Sequence, residues 1–190
     1  TLDPRPADDA PMAVRRDLEP RLDTLPIGGV RRAHPKVGRE RGRGSLSIGT
    51  TRDGFVVGCR RLPVDDPRLR MLAVQSRRGT DWGTDDLVGA LSSAAATVAR
   101  VHPGGTMTVG NIGREGGGDI PWSISHNSGR DADLGFFLLG PDGRPFVPTD
   151  LVRLDGQGRG FIDGVHVRLD VRRTWRMLRA LLENRAVSIQ

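Results

Sequence analysis

From Ser45 onward the chain arranges apolar and polar residues in short ordered runs, whereas before it apolar residues are sparse and follow no period. Residues 1–44, rich in Pro, Arg, Asp and Gly, read as a leader or linker, and residues 45–190 as the folded domain. In SLSIGTTRDGFVVGCRRLP the alternation runs on both sides of Arg52-Asp53-Gly54, which predicts a β-hairpin. Met71 to Ser76 has the composition of another short strand. Thr84-Asp85-Asp86 sets a capping hydroxyl ahead of two acids, a helix start, and Leu87, Leu91, Ala94, Val98 and Val101 fall on one helical face. The predicted helix spans 85–101 and ends at Pro103-Gly104-Gly105. Met107 to Asn111 reads as a strand, and the apolar run Leu134 to Leu139 as the clearest buried strand; Phe161 to Asp170 is a weaker one. Asp170 is placed to cap a last helix whose apolar face is Val171, Trp175, Leu178 and Leu182. The final residues, AVSIQ, read as the start of a further strand. These elements predict an α+β fold, a small antiparallel sheet with packed helices. The expected fold is loop-rich, with 26 Gly and 13 Pro, and the unfinished apolar tail raises the expectation that it continues past the C-terminus.

Composition narrows the function classes. The net charge of +6 is carried almost wholly by arginine, Lys36 being the only lysine, and suits nucleic acid, an acidic envelope polymer or a membrane surface. No basic run is interleaved with stacking aromatics and Tyr is absent, so nucleic acid is set aside as a partner. Cys59 is the only cysteine, which excludes an intrachain disulfide and a cysteine-based metal cluster. No apolar stretch reaches the roughly 18 residues of a membrane span.

The segment Ser125-His126-Asn127-Ser128-Gly129-Arg130-Asp131-Ala132-Asp133 carries the chemistry. His126 and Asp133 straddle a loop-to-strand transition, and Gly129 permits the sharp turn that lets both ends converge. Imidazole nitrogen and carboxylate oxygen are both ordinary zinc ligands. Along the strand, Asp131, Asp133 and Gly135 share one face, with Ala132, Leu134 and Phe136 on the other. The first face offers a ligand, a carboxylate (Asp131) to orient the imidazole, and open space for substrate at Gly135; the second anchors in the core. On spacing alone, an exposed turn in which Asp131 and Asp133 bond to backbone amides is the more usual outcome.

SHNSGRDADLGFF, preceded by GNIGREGGGDI, resembles the pattern of the penicillin-insensitive murein endopeptidases, and more distantly the wider lysostaphin/D-Ala-D-Ala-peptidase group. SIGTTRDGFVVGCRRLP, the Trp82-Gly83 pair opening the long helix, and MTVGNIG follow the family in order, so the resemblance covers residues 45–190. It implies a zinc peptidase of the cell envelope, periplasmic or extracellular. The metal would be held in part by the His-x6-Asp motif, here His126 and Asp133, and the D-Ala-to-diaminopimelate cross-link of peptidoglycan would be the substrate. The resemblance also implies a third ligand and a catalytic base in a His-x-His motif nearer the C-terminus, and this chain contains no His-x-His. His166, in GVHVRLD, precedes the helix that the family places before that motif, so it reads as a strand-edge imidazole rather than a ligand. The expectation is that these 190 residues stop short of the motif and hold zinc weakly without hydrolysing substrate. The alternative is a non-catalytic peptidoglycan- or partner-binding domain of the same fold.

Some members have a further histidine three positions before the first ligand; here Ser123 stands there, a poor zinc ligand. His34 and His102 read as exposed. Trp122 either walls a substrate groove or packs beneath its loop, the second being favoured, and Arg114 and Arg130 either meet substrate carboxylates or sit on solvated faces.

Overall fold

The computed structural model describes residues 44–186. All of the 1–44 leader but Gly44, with His34 in it, and all but Ala186 of the strand start expected over Ala186 to Gln190 lie outside the described residues. β1 (Leu46–Gly49) and β2 (Gly54–Val57) form the expected antiparallel hairpin, with Gly49 opposite Gly54. Its turn is held from within: Thr50 N donates to Asp53 O at 2.7 Å, and Asp53 N donates to Thr50 Oγ1 at 3.0 Å. The hairpin ends there. β3 (Arg60–Arg61) leaves it to pair with β5 (Trp82–Gly83).

β4 (Leu69–Met71) pairs in parallel with β6 (Met107–Val109). The strand expected over 71–76 is in fact the end of β4 followed by the short helix α1 (Ala73–Arg77). Leu69, Leu72 and Gln75 are the buried positions, a helical spacing rather than an alternating one, and Ser76 N bonds back to Leu72 O at 2.9 Å. α2 (Asp85–Val101) occupies the predicted span, and Thr84 Oγ1 accepts from Leu87 N at 3.2 Å, satisfying one of the orphan donors of the first turn. Leu91, Ala94 and Val98 face the core, while Val101 in the last turn is exposed.

The apolar run at 134–139 is not one strand. Leu134 forms a single antiparallel bridge with Val109 of β6, and only β7 (Leu138–Leu139) joins a sheet. The expected alternation slips in between: Leu134 packs on the core, Phe136 is half-exposed, and Phe137 and Leu138 are buried in succession. The chain here passes from one partner to another, so no single face is buried throughout. β8 (Pro145–Phe146), β7, β10 (Val165–Leu169) and β9 (Arg159–Ile162) make a four-stranded antiparallel sheet in that order. The single strand expected over 161–170 is thus a hairpin, turned by Asp163 and Gly164 at φ 54° and 74°.

α3 (Val171–Leu182) is capped by Asp170, whose Oδ1 accepts from Arg173 N at 3.1 Å, but the predicted face is not the buried one. Thr174, Met177 and Leu181 point inward, and Val171, Trp175 and Leu182 are exposed; Leu178 packs at the core margin. Two tethers set the rotation: Phe137 N donates to Thr174 Oγ1 at 3.1 Å, and Arg173 Nη2 donates to Pro103 O at 2.9 Å. The core joins Leu62, Leu69, Leu91 and Met107 with Met177 and Leu181. The class is α+β, with small, mostly antiparallel sheets and three helices, none of them long and apolar enough to cross a membrane among the described residues.

Candidate metal centre

The loop from Gly113 to Asp133 is fastened to three elements. Against the hairpin, Val56 N donates to Gly116 O at 3.0 Å and Asn127 N to Thr51 O at 2.9 Å. Gly117 lies so close that an added Cβ would stand 2.2 Å from Asn127 O, which is why only glycine fits there. Against the start of α2, Thr84 N donates to Gly129 O at 2.8 Å. Against the end of β6, Asp133 N donates to Asn111 O and Gly110 N to Asp133 O, both at 2.8 Å. The buried Asn127 adds side-chain bonds to Arg52 O (2.9 Å) and Asp119 Oδ1 (2.8 Å), and Ser128 is wholly buried.

This framework holds His126 in a left-handed backbone conformation, φ 76°, rare for a residue with a side chain and of the kind that persists only where its surroundings impose it. Its ring is buried, 4% of the side chain being exposed. Asp131 grips it twice: Asp131 Oδ2 accepts from His126 N at 3.1 Å and lies 3.2 Å from Nδ1, with Asp131 O at 3.4 Å from the same nitrogen. The Nδ1 proton is therefore drawn toward Asp131, and Nε2 turns to Asp133 Oδ2 at 3.4 Å. Asp131 thus both bonds a backbone amide, as the exposed-turn reading has it, and orients the imidazole.

Asp133 is itself held. Asn111 Nδ2 donates to Asp133 Oδ2 at 3.1 Å, and Asn111 Oδ1 accepts from the buried Thr80 Oγ1 at 3.0 Å. Burial favours the neutral imidazole, but the carboxylates of Asp133 and Asp131 outweigh it and raise the His126 pKa above its ordinary value. The neighbouring His126, aided by Asn111 and opposed by partial burial, holds the Asp133 carboxyl below its ordinary value.

With Nδ1 as the proton donor, Nε2 presents a lone pair to a carboxylate oxygen. Two acceptors in that position repel unless a cation lies between them, either a proton or a metal ion. The 3.4 Å separation is long for a charge-assisted hydrogen bond but suits two corners of a tetrahedron, because ligand atoms about 2.0–2.1 Å from one zinc stand about 3.3–3.4 Å apart. His126 and Asp133 therefore fit as two ligands. Among the described residues no group of three His, Cys, Asp or Glu could hold a metal ion, so a third ligand is not found there.

Other residues singled out in the sequence lie elsewhere or act otherwise. His166 is an exposed imidazole on β10, its ring 5.0 Å from that of Phe161; β10 is interior to its sheet, but His166 pairs only with β9. His102 is the C-cap of α2 and is half-buried. Ser123 Oγ accepts from Ser125 N at 3.3 Å. Gly135 does not open space for substrate: an added Cβ would meet Thr108 Cβ at 3.1 Å, so its smallness serves packing on β6. Trp122 does not pack beneath its loop; it is 49% exposed with the Arg78 guanidinium 4.3 Å from its ring centre. Arg114 donates to Asp119 O at 2.9 Å and Arg130 to Gly49 O at 2.6 Å, so both brace the loop. Asn111 belongs to the site without being marked by any motif in the sequence. Its signal was a lone amide between apolar residues and glycine in MTVGNIG, which a buried strand end tolerates only with partners.

Residues 47–147, more than half of the chain, match the penicillin-insensitive murein endopeptidase family, and the matched span contains the whole loop with His126, Asp131 and Asp133. No curated protein matches the chain. On the strength of that span the chain belongs to the penicillin-insensitive murein endopeptidase family.

Proposed function

We propose that the protein is a zinc-dependent endopeptidase that hydrolyses peptide cross-links of peptidoglycan in the periplasm or outside the cell, with His126 and Asp133 as two of its zinc ligands. Family membership carries the coarser part, a peptidase of cell-wall peptidoglycan. The observation that supports the finer part is the facing of His126 Nε2 and Asp133 Oδ2 across 3.4 Å, a spacing longer than a charge-assisted hydrogen bond and equal to that of two ligands on one zinc. A zinc ion bound there would polarise a scissile carbonyl and lower the pKa of water. The chain's own residues prepare that chemistry. Asp131 directs the Nδ1 proton away from the site, so that Nε2 keeps its lone pair free. Asn111 fixes the Asp133 carboxylate, and the half-exposed Trp122 ring, covered on one side by Arg78, offers an edge to sugar or peptide. In this reading the third ligand and the general base come from outside residues 44–186.

A second reading is favoured by the lack of a third ligand among the described residues: a non-catalytic peptidoglycan- or partner-binding domain of the same fold. One experiment separates the two. In the full-length protein, His126→Ala is expected to abolish both zinc retention and muropeptide cleavage while leaving binding to sacculi intact. Cleavage that survives the substitution overturns the proposal. Sacculus binding by the unmodified protein without any chelator-sensitive cleavage establishes the second reading.

A further inference from the structure

We infer that Thr80 and Asn111 are positioning residues for metal ligation, forming a buried relay that fixes the orientation in which the Asp133 carboxylate meets His126. The inference rests on the reading of His126 and Asp133 as ligands. It extends that reading to two residues that touch neither the metal nor the substrate.

The relay follows from the hydrogen-bonding capacity of each group. Thr80 has no exposed surface and Asn111 is buried. Asp133, as a carboxylate, only accepts, so the Asn111 amide must turn its NH2 end toward Asp133 Oδ2, which it does at 3.1 Å. Its oxygen then faces Thr80 Oγ1 at 3.0 Å and needs a donor there. The single Thr80 hydroxyl proton has two acceptors in reach, Asn111 Oδ1 and, at 3.2 Å, Gln75 O. Donation to Asn111 selects the amide orientation that serves Asp133; the flipped amide would set its oxygen against the carboxylate. Backbone bonds keep the three residues in place, since Ile112 N donates to Thr80 O and Asp133 N to Asn111 O, both at 2.8 Å. Groups that orient a metal ligand in this way typically contribute about 10- to 100-fold in metal affinity.

The test is calorimetric titration of the full-length protein with zinc chloride, paired with the visible absorption of its cobalt(II) form. Thr80→Val keeps the shape of the side chain and removes the hydroxyl, whereas Thr80→Ser restores it. Thr80→Val and Asn111→Leu are each expected to weaken zinc binding by about 10-fold or more and to alter the cobalt bands, with Thr80→Ser binding like the unmodified protein. If Asn111→Leu fails to fold, the Thr80 pair decides alone. Thr80→Val that binds zinc as tightly as Thr80→Ser, with an unchanged cobalt spectrum, overturns the relay even where His126→Ala loses zinc. An unmodified protein that binds no zinc, or a His126→Ala variant that binds normally, overturns the ligand assignment and the relay together.

Discussion

At the scale of single residues, the site depends on a few backbone positions that tolerate almost no change. His126 keeps a left-handed conformation that costs about 1–2 kcal/mol for a residue with a side chain, and the Asp131 carboxylate and the bonds around Asn127 offset it. Gly110 is a second such position, because a Cβ there would stand 2.7 Å from Asp133 Cβ. Gly110→Ala is expected to push Asp133 away from Asn111 and His126, to cost about 1–3 kcal/mol of stability in denaturant unfolding, and to weaken zinc binding in the same titration. A Gly110→Ala protein of unchanged stability and zinc affinity would contradict this packing. His126, Asp131 and Asp133 were legible as neighbours because one short stretch contains them, and His126 and Asp133 as candidate ligands only through the His-x6-Asp motif of the family the sequence resembles. Asn111 and Thr80 were not, since their roles arise only when β6 and the residues before β5 are brought against the loop by non-local contacts.

At the scale of elements, α2 is the most legible, whereas α1 and the β9–β10 hairpin, though local in sequence, are not evident from apolar pattern alone. The span of α2 follows from Thr84, two acids and a periodic apolar stripe, all within a few turns. That cap also ties the helix to the site, since Thr84 N bonds Gly129 O. Thr84→Ala is expected to cost about 1 kcal/mol, lowering the melting temperature by about 2–4 °C; no shift in a thermal scan would mean the cap contributes nothing. The span of α3 was equally legible, but its face was not. Its sequence offers two apolar stripes, and the bonds from Phe137 to Thr174 and from Arg173 to Pro103 choose the less obvious one. The run from Leu134 to Leu139 departs from its pattern for a related reason. Its composition fits a buried strand, but its first residues pair with β6 and its last with β10, and the alternation breaks where the partner changes.

At the scale of the molecule, the hairpin, the start of α2 and the end of β6 converge on one loop, and their bonds leave His126 Nε2 and Asp133 Oδ2 facing each other. The scaffold thus spends its glycines and buried amides on two ligand atoms. The central claim is that a zinc ion belongs between them, and the most direct measurement is anomalous diffraction at the zinc edge from crystals of the protein grown with zinc. The expected result is one strong peak about 2.0–2.1 Å from both atoms. A zinc peak elsewhere, or none, with the imidazole and the carboxylate in direct contact, would contradict it.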